Sequence, residues 1–238
     1  MKIAIIGYGK MGRAIEEIAL QRGHEVALKI SSTNAEELNQ ENLKEIDAAI
    51  EFSMPKTAIQ NIEICLNAST PVVIGTTGWY HEHDRILALC AEKKTAMLAA
   101  TNFSVGVNLF FELNQKLAQL MAPREEYRAS MEEIHHTEKL DSPSGTAITL
   151  AEGLINAHPN YQDWVNEKEA DSNVLPILSI REDKVPGTHS INYESEIDSI
   201  YIKHTAKNRK GFALGAVLAA EFIHNKQGVF SMKEVLNF

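Results

Sequence analysis

The amino-acid sequence predicts an α/β protein with a doubly wound parallel sheet in its first domain and a second domain of the α+β class. Three observations carry this prediction. Strand and helix signals alternate through the N-terminal part of the chain, a glycine-rich segment directly follows the first strand, and the pattern changes after Phe103. Alternating strands and helices imply a parallel sheet with helices on both faces.

The individual elements follow from hydrophobic periodicity. Short apolar segments predict strands at 2–6, 26–30, 48–52, 72–74 and 96–100, because strands buried on both faces lack polar alternation. Helical spacing of apolar residues predicts helices between these strands. Beyond Phe103 the sequence predicts a helix at 107–121, a strand at 128–135, a helix at 147–157, a polar loop at 158–173, strands at 174–180, 190–193 and 200–205, and a helix at 212–223. We expect a first domain at 1–104 that is completed by 207–238, and a second domain at 105–206.

The composition argues against some classes of partner. The chain has 238 residues and a formal net charge of -9, whereas nucleic acids and anionic membranes bind to basic surfaces. No apolar segment approaches the roughly 20 residues of a membrane-spanning helix, and no signal-peptide pattern precedes the first strand. Cys65 and Cys90 lie in predicted helices and are expected to be reduced thiols, which fits the cytoplasm. No zinc-type spacing of ligands occurs, so we expect no metal.

A glycine fingerprint opens the first predicted helix. Its spacing is G-x-G-x-x-G, and it consists of Gly7, Tyr8, Gly9, Lys10, Met11 and Gly12. The first glycine permits a tight turn, the second lets a pyrophosphate approach the backbone, and the third lets the helix pack closely on the strand. The N–H groups at the helix N-terminus would then face the phosphates. The first domain is therefore predicted to be a Rossmann-type domain that binds NADH or NADPH.

The residues after the second strand leave the choice between NADH and NADPH open. No carboxylate stands about 20 residues after the fingerprint, where one commonly accepts a hydrogen bond from the ribose 2′-hydroxyl. Lys29 and the hydroxyl cluster Ser31, Ser32 and Thr33 lie there instead. Lys29 could bind a 2′-phosphate, or it could be a solvated residue at the end of a strand.

Two more loops are expected at the same edge of the sheet, because ligands bind at the carboxyl ends of parallel strands. One follows the fourth strand and the other follows the fifth. Taken alone, each segment is typical of an ordinary turn; beside the glycine fingerprint, both become candidates for the nicotinamide end of the cofactor site. The residues concerned are Gly75, Thr76 and Thr77, and Ala100, Thr101, Asn102 and Phe103.

The densest polar cluster of the chain lies at 132–147. His135, His136 and Lys139 precede a proline-serine-glycine turn that opens a helix. Ser142 or Ser144 could cap that helix, with Pro143 in its first turn. The N–H groups of Gly145 and Thr146 would form an anion site, and the lysine and a histidine would add cationic donors. The cluster is predicted to hold a carboxylate and to contain a proton donor.

The same cluster resembles the signature of the dihydrodipicolinate reductase family, Glu-x-His-His-x-x-Lys-x-Asp-x-Pro-Ser-Gly-Thr-Ala. The resemblance extends over nearly the whole chain, through the glycine loop, Phe52 with Pro55, the segments 75–78, 102–108 and 185–189, and the end pattern around His204 and Arg209. Here the signature consists of Glu133, His135, His136, Lys139, Asp141, Pro143, Ser144, Gly145, Thr146 and Ala147.

The resemblance implies roles for individual residues. His135 matches the general acid/base and Lys139 the second proton donor. Substrate carboxylate contacts are expected from His136, Ser144, Gly145, Thr146 and Thr77. Cofactor contacts are expected from the loops at 7–12, 75–77 and 100–103, from Phe52, and from Arg209 near the nicotinamide. Family members are usually homotetramers built through the second domain.

The resemblance further implies a reaction, the NAD(P)H-dependent reduction of 4-hydroxy-tetrahydrodipicolinate in the diaminopimelate pathway of lysine biosynthesis. An alternative is another two-domain dehydrogenase of aspartate or diaminopimelate, but such an enzyme does not explain the histidine-lysine cluster. A redox-sensing binding module is a second alternative. It would be expected to carry a basic DNA-binding segment, and the sequence shows none.

Overall fold

The computed structural model describes all 238 residues, which form two compact units. The first unit consists of Met1–Val105 and Arg209–Phe238, and the second of Gly106–Asn208. In chain order the elements are β1 (Lys2–Ile6), α1 (Lys10–Gln21), β2 (Glu25–Ile30), α2 (Gln40–Leu43), β3 (Ala48–Glu51), α3 (Pro55–Asn67), β4 (Val72–Ile74), α4 (His83–Glu92), β5 (Ala96–Ala99), α5 (Val105–Met121), β6 (Arg128–His135), α6 (Gly145–Ala157), β7 (Asp163–Val165), β8 (Val174–Arg181), β9 (Thr188–Glu194), β10 (Ser199–Thr205), α7 (Lys210–Ile223), β11 (Gly228–Phe230) and α8 (Met232–Leu236).

The first unit is built on a six-stranded parallel sheet with the order β11-β5-β4-β3-β1-β2. Strand β1 is buried on both faces. Ile3 and Ile5 belong to one apolar cluster with α1 and α7, whereas Ala4 and Ile6 belong to another with α3 and α4. Each cluster removes one face of the sheet from water, and this burial is the main favourable contribution to folding. The predicted doubly wound fold is confirmed.

The second unit is built on a mixed five-stranded sheet with the order β10-β9-β6-β8-β7. Along β6, the side chains of Ala129, Met131, Glu133 and His135 alternate onto one buried face, as the two-residue period of a strand requires. The first two pack in an apolar cluster with residues of α5 and α6. The same face therefore changes from apolar to polar toward the end of the strand.

The structure differs from the sequence prediction at short elements and at helix ends. The segment 158–173 is not wholly a loop, because β7 lies within it and pairs with β8. Strand β11 and helix α8 were not predicted; they span three and five residues, too few to show a period. No helix combines the length and the apolar composition that a bilayer crossing requires.

The packing of α7 on the segment after β5 provides a test of the first unit. A Cβ at Gly215 would lie 1.7 Å from the carbonyl oxygen of Phe103, so the helix or that segment would have to move. Gly215→Ala is expected to lower the free energy of unfolding by about 3 kcal/mol through overpacking. Urea unfolding measures this loss. Gly211→Ala is the control in the same helix, since its Cβ would meet only the Ser104 hydroxyl, at 3.3 Å; equal stabilities of the two variants would contradict the prediction.

Candidate active site

The carboxyl ends of the parallel strands form one candidate site, within the first unit. A cleft of about 350 Å³ lies along the ends of β1, β2 and β3. Its lining includes Gly7 and Gly9 of the glycine loop, Ser31 and Ser32 after β2, and Ser53 after β3. This is the edge of a doubly wound sheet where dinucleotides bind.

The glycine loop has the geometry that its sequence predicts. Gly7 has a φ of +97°, and a Cβ there would lie 2.0 Å from the carbonyl oxygen of Phe52, so only glycine fits. The N–H groups of Gly7 and Tyr8 both donate to the Ile30 carbonyl at 2.9 Å, which closes the turn against β2. Helix α1 begins at Lys10, and its first-turn N–H groups have no acceptor within the helix.

Lys29 is not a freely solvated residue. Its Nζ donates to Oε1 of Glu16 at 2.6 Å and lies 5.4 Å from the centre of the Tyr8 ring. Hydrogen bonds from Lys29 and then Tyr8 lower the pKa of Glu16. Lys29 therefore lies beside the glycine loop with its charge already paired, and the structure favours neither NADH nor NADPH.

The loops after β3, β4 and β5 contact each other through Phe52. Its ring lies 5.5 Å from that of Phe103, and a Cβ at Gly75 would lie 2.2 Å from the Phe52 ring. Thr76 is buried, and its Oγ1 accepts a hydrogen bond from the Ser53 N–H at 2.8 Å. The other predicted cofactor residues of these loops are less enclosed: Ala100 and Asn102 are half-buried and Thr77 and Thr101 are exposed, as is Arg209 at the start of α7.

The second candidate site lies in the second unit, around the carboxylate of Glu133. The sheet register places Glu133 opposite His189 on β9 and Ser179 on β8. The Glu133 side chain is fully buried; its Oε2 lies 3.2 Å from Nδ1 of His135 and 3.7 Å from Nε2 of His189. Its Oε1 faces Arg181 at 3.3 Å. The carboxylate is therefore held between two imidazoles and a guanidinium.

The electrostatics of this site favour an ionised Glu133. Burial opposes ionisation, but His135, His189 and Ser144 outweigh burial and hold the pKa of the carboxyl far below its usual range. Burial also lowers the pKa of His189, although Glu133 opposes that shift. At neutral pH the site therefore contains a carboxylate and a neutral His189.

His135 ends strand β6, and its ring has two different surroundings. The Nδ1 edge faces Glu133 at ion-pair distance, although its N–H direction is not aligned for a regular hydrogen bond. The other edge faces Gly187, where an added Cβ would lie 3.0 Å from Nε2. A residue with a side chain at 187 would crowd this nitrogen. Gly187 thus leaves space beside Nε2.

The N-terminus of α6 joins the carboxylate network. Ser144 is the N-cap, and its Oγ accepts a hydrogen bond from the Ala147 N–H and lies 3.1 Å from Nε2 of His189. Its own N–H donates to Glu133 at 3.1 Å. The Ser144 hydroxyl therefore already has two partners within the protein, and its contact with the substrate stays a prediction. Gly145 is exposed and Thr146 half-buried at the first turn.

Lys139 lies in the segment after β6 and is half-buried. Its Nζ contacts both carboxylate oxygens of Asp141, at 2.8 and 2.9 Å. Arg181 holds this segment by donating to the Asp141 carbonyl at 2.6 Å. His136, the other predicted substrate contact, is half-buried. Lys139 is thus placed near the Glu133 network by Arg181.

Glu133, His135 and His189 also have the residue types of a metal site, since their ligand atoms lie within 4.8 Å of one another. Arg181 and the Ser144 N–H already bind the Glu133 carboxylate. The guanidinium lies 3.3 Å from that carboxylate and would repel a divalent cation bound there. We therefore interpret the group as a hydrogen-bonding and proton-holding network.

Sequence reasoning assigned no role to Glu133, His189, Arg181 or Gly187. Glu133 and the segment 185–189 belonged to the family pattern, but their meaning depends on strand register. A single slip of register would turn one partner to the opposite face. The only signal within the sequence was the acidic residue two positions before His135, which puts both side chains on one face of a strand.

The two sites define the class of protein: a two-unit, NAD(P)H-dependent oxidoreductase. The model of the dihydrodipicolinate reductase N-terminus matches residues 1–103, and that of the C-terminus matches residues 106–236. The chain belongs to the dihydrodipicolinate reductase family.

Individual relatives agree with this assignment. A 4-hydroxy-tetrahydrodipicolinate reductase of Christiangramia forsetii is 49% identical over 100% of this chain and 98% of its own length. One of Thermosipho africanus is 33% identical over 99% and 98%. The solved structure of a dipicolinate-bound dihydrodipicolinate reductase from Paenisporosarcina sp. TG-14 covers 98% of both chains with a TM-score of 0.78 and 24% identity, which supports the fold. These matches support the reductase rather than the amino-acid dehydrogenase alternative.

Proposed function

We propose that the protein reduces 4-hydroxy-tetrahydrodipicolinate to tetrahydrodipicolinate with NADH or NADPH, in the diaminopimelate pathway of lysine biosynthesis. The observation that carries the proposal is the signature from Glu133 to Ala147, in a chain matched along nearly all its length by the two family models. The first unit would bind the dinucleotide. The second would bind the dicarboxylate and supply the proton.

The chemistry explains why a proton donor and an anion site are both needed. Loss of the 4-hydroxyl as water would leave a conjugated cyclic imine, and NADH or NADPH, when bound, would supply the hydride that adds at ring C4. The product of that addition is an enamine-type anion, which must be protonated at carbon. His135 is our candidate acid, because a positioned histidine is the side chain that most often transfers a proton in enzymes. Lys139 would hold a carboxylate and stabilise developing charge.

Binding of the substrate carboxylates would fall to residues near the start of α6. The N-terminus of a helix attracts anions through its N–H groups and dipole, and Gly145 is exposed at that position. Thr146, His136 and Lys139 would complete the contacts. Ser144 would act by capping the helix.

Binding of the cofactor would involve the loops at the carboxyl edge of the first sheet. The first-turn N–H groups at Lys10, Met11 and Gly12 would face the pyrophosphate. Phe52 and the loops at 75–77 and 100–103 would border the nicotinamide, with Arg209 as a further contact. Lys29, which now pairs with Glu16, would contact a 2′-phosphate if that pair opened.

We also propose a homotetramer located in the cytoplasm. The face of the second sheet that points away from α5 and α6 carries the apolar side chains of Ile134, Leu178, Ile180 and Tyr201, and an apolar face of this kind suits association between copies. Sedimentation equilibrium would distinguish four chains from two or one. Cys65 and Cys90 are free, buried thiols, as expected in a reducing compartment.

A coupled assay tests the reaction. Pyruvate and aspartate semialdehyde are condensed by the preceding aldol enzyme, and oxidation of NADH and of NADPH is followed separately by absorbance. We expect oxidation that depends on both aldol substrates. Oxidation of neither cofactor would contradict the proposal, whereas NAD(P)+ reduction by free aspartate or diaminopimelate would favour the amino-acid dehydrogenase.

Substitution of His135 tests the acid role. His135→Gln is expected to lower kcat by about 100- to 10,000-fold, the usual contribution of a positioned acid, while KM for the dicarboxylate changes little. Steady-state kinetics measures both constants. Equal losses in kcat and in substrate affinity, or no loss, would remove His135 from this role.

Substitution of Lys139 tests the carboxylate contact. Lys139→Ala is expected to raise KM and lower kcat, because it removes a cation that would serve both binding and charge stabilisation. Lys184→Ala is the control, since Lys184 lies in the same unit with a side chain that is 89% exposed. If Lys139→Ala behaved like Lys184→Ala, the assignment would be wrong.

A further inference from the structure

Glu133 stands out as a buried charge that hydride transfer and carboxylate binding do not themselves require. Its side chain is fully enclosed on the central strand β6, yet it is ionised because its neighbours favour the charged form. A buried carboxylate lowers stability unless several partners compensate it. Because a buried charge lowers stability, we expect Glu133 to have a role beyond packing.

The two carboxylate oxygens share the Ser144 N–H, at 3.1 and 3.2 Å, and otherwise have different partners. Oε1 contacts the guanidinium of Arg181 at 3.3 and 3.4 Å. Oε2 is turned toward the imidazoles, 3.2 Å from Nδ1 of His135 and 3.7 Å from Nε2 of His189. Arg181 and the Ser144 N–H thus fix the carboxylate, and its second oxygen is directed at His135.

This arrangement distinguishes the two nitrogens of His135. A carboxylate oxygen 3.2 Å from Nδ1 favours a proton on that nitrogen through its charge, without a regular hydrogen bond between the two groups. Nε2 then lies on the edge that faces Gly187, where the absence of a side chain leaves space. When the ring is doubly protonated, the Nε2 proton is the one that can leave, and Glu133 retains the other.

We propose that Glu133 is a positioning residue, which holds His135 through Nδ1 and stabilises its protonated ring so that Nε2 delivers the proton. This inference rests on the proposed function, because it assumes that His135 is the acid. It identifies Glu133 as the residue that stabilises the protonated ring of His135, and Nε2 as the nitrogen that donates the proton. His189 shares the carboxylate, and its T-shaped contact with the His135 ring, 5.0 Å between centroids, limits rotation of that ring.

The other charges around His135 do not replace this carboxylate. Arg181 on β8 binds Oε1 and is a cation. Lys139 and Asp141 pair with each other in the following segment. On the far side, His189 on β9 and His204 on β10 are opposite one another, and burial lowers the pKa of both. Glu133 is therefore the anion in contact with His135.

The test compares Glu133→Gln with a control in the same unit. Glu152→Gln removes a carboxylate from the exposed side of α6. Glu133→Gln is expected to lower kcat about 100-fold or more, with KM for both substrates within about threefold of the original. The limb of the kcat–pH profile that falls with rising pH should move to lower pH. Glu152→Gln should keep the original kcat and profile.

The outcomes separate this inference from the proposed function. If Glu133→Gln kept the kcat and pH profile of the unsubstituted enzyme while His135→Gln was inactive, the positioning role would be overturned and the function would stand. If His135→Gln remained active, the acid assignment would fail and the inference with it. Circular dichroism reports whether each variant folds.

A measurement on the unsubstituted protein covers the case in which Glu133→Gln does not fold. Two-dimensional 15N–1H spectra distinguish the tautomers of a neutral histidine, and His135→Gln identifies the signal of residue 135. We expect the Nδ1–H tautomer above the pH at which the ring loses its charge. The Nε2–H tautomer would overturn the proposal.

Discussion

The second unit depends on one electrostatic constraint, the enclosure of an ionised carboxylate at Glu133. On its buried face, strand β6 carries the apolar side chains of Ala129 and Met131 first, and then the polar side chains of Glu133 and His135. The buried charge requires partners from several elements, and it receives them from β8, β9 and the start of α6. The polar end of the sheet is thereby held in one register, because a slip would leave the carboxylate unpaired.

The same constraint organises the start of α6. A helix N-terminus normally offers its N–H groups to a ligand or a cap. Here the N-cap Ser144 gives its N–H to Glu133 and places its hydroxyl against His189, so the helix is tied to the strand that carries His135. Gly145, which follows the cap, is left exposed. The cap thus fixes the start of the helix on the strand that carries His135.

Much of this architecture was predictable, and the reasons for the remainder are physical. The glycine fingerprint, the buried strands and the helical periods are local signals, and the structure confirms the fold class that they predict. Strand β11 was missed because three residues at the edge of a sheet carry no period. The partners of Glu133 were missed because His189 lies 56 residues away in sequence and is brought in only by the antiparallel register of β6 and β9. The histidine-lysine cluster could be found from spacing; the carboxylate that supports it could not be assigned a role without the sheet.

The pair between Lys139 and Asp141 bears on the proposed contact between Lys139 and a substrate carboxylate. The lysine ammonium contacts a carboxylate of its own segment at 2.8 Å. The Asp141 side chain is 57% exposed, and an exposed ion pair contributes only about 0–1 kcal/mol. Replacement of Asp141 by a substrate carboxylate would therefore cost little free energy from the lost ion pair. The Arg181 contact to the Asp141 carbonyl would hold the backbone in place during this exchange, so that the lysine could change partners without the segment unfolding.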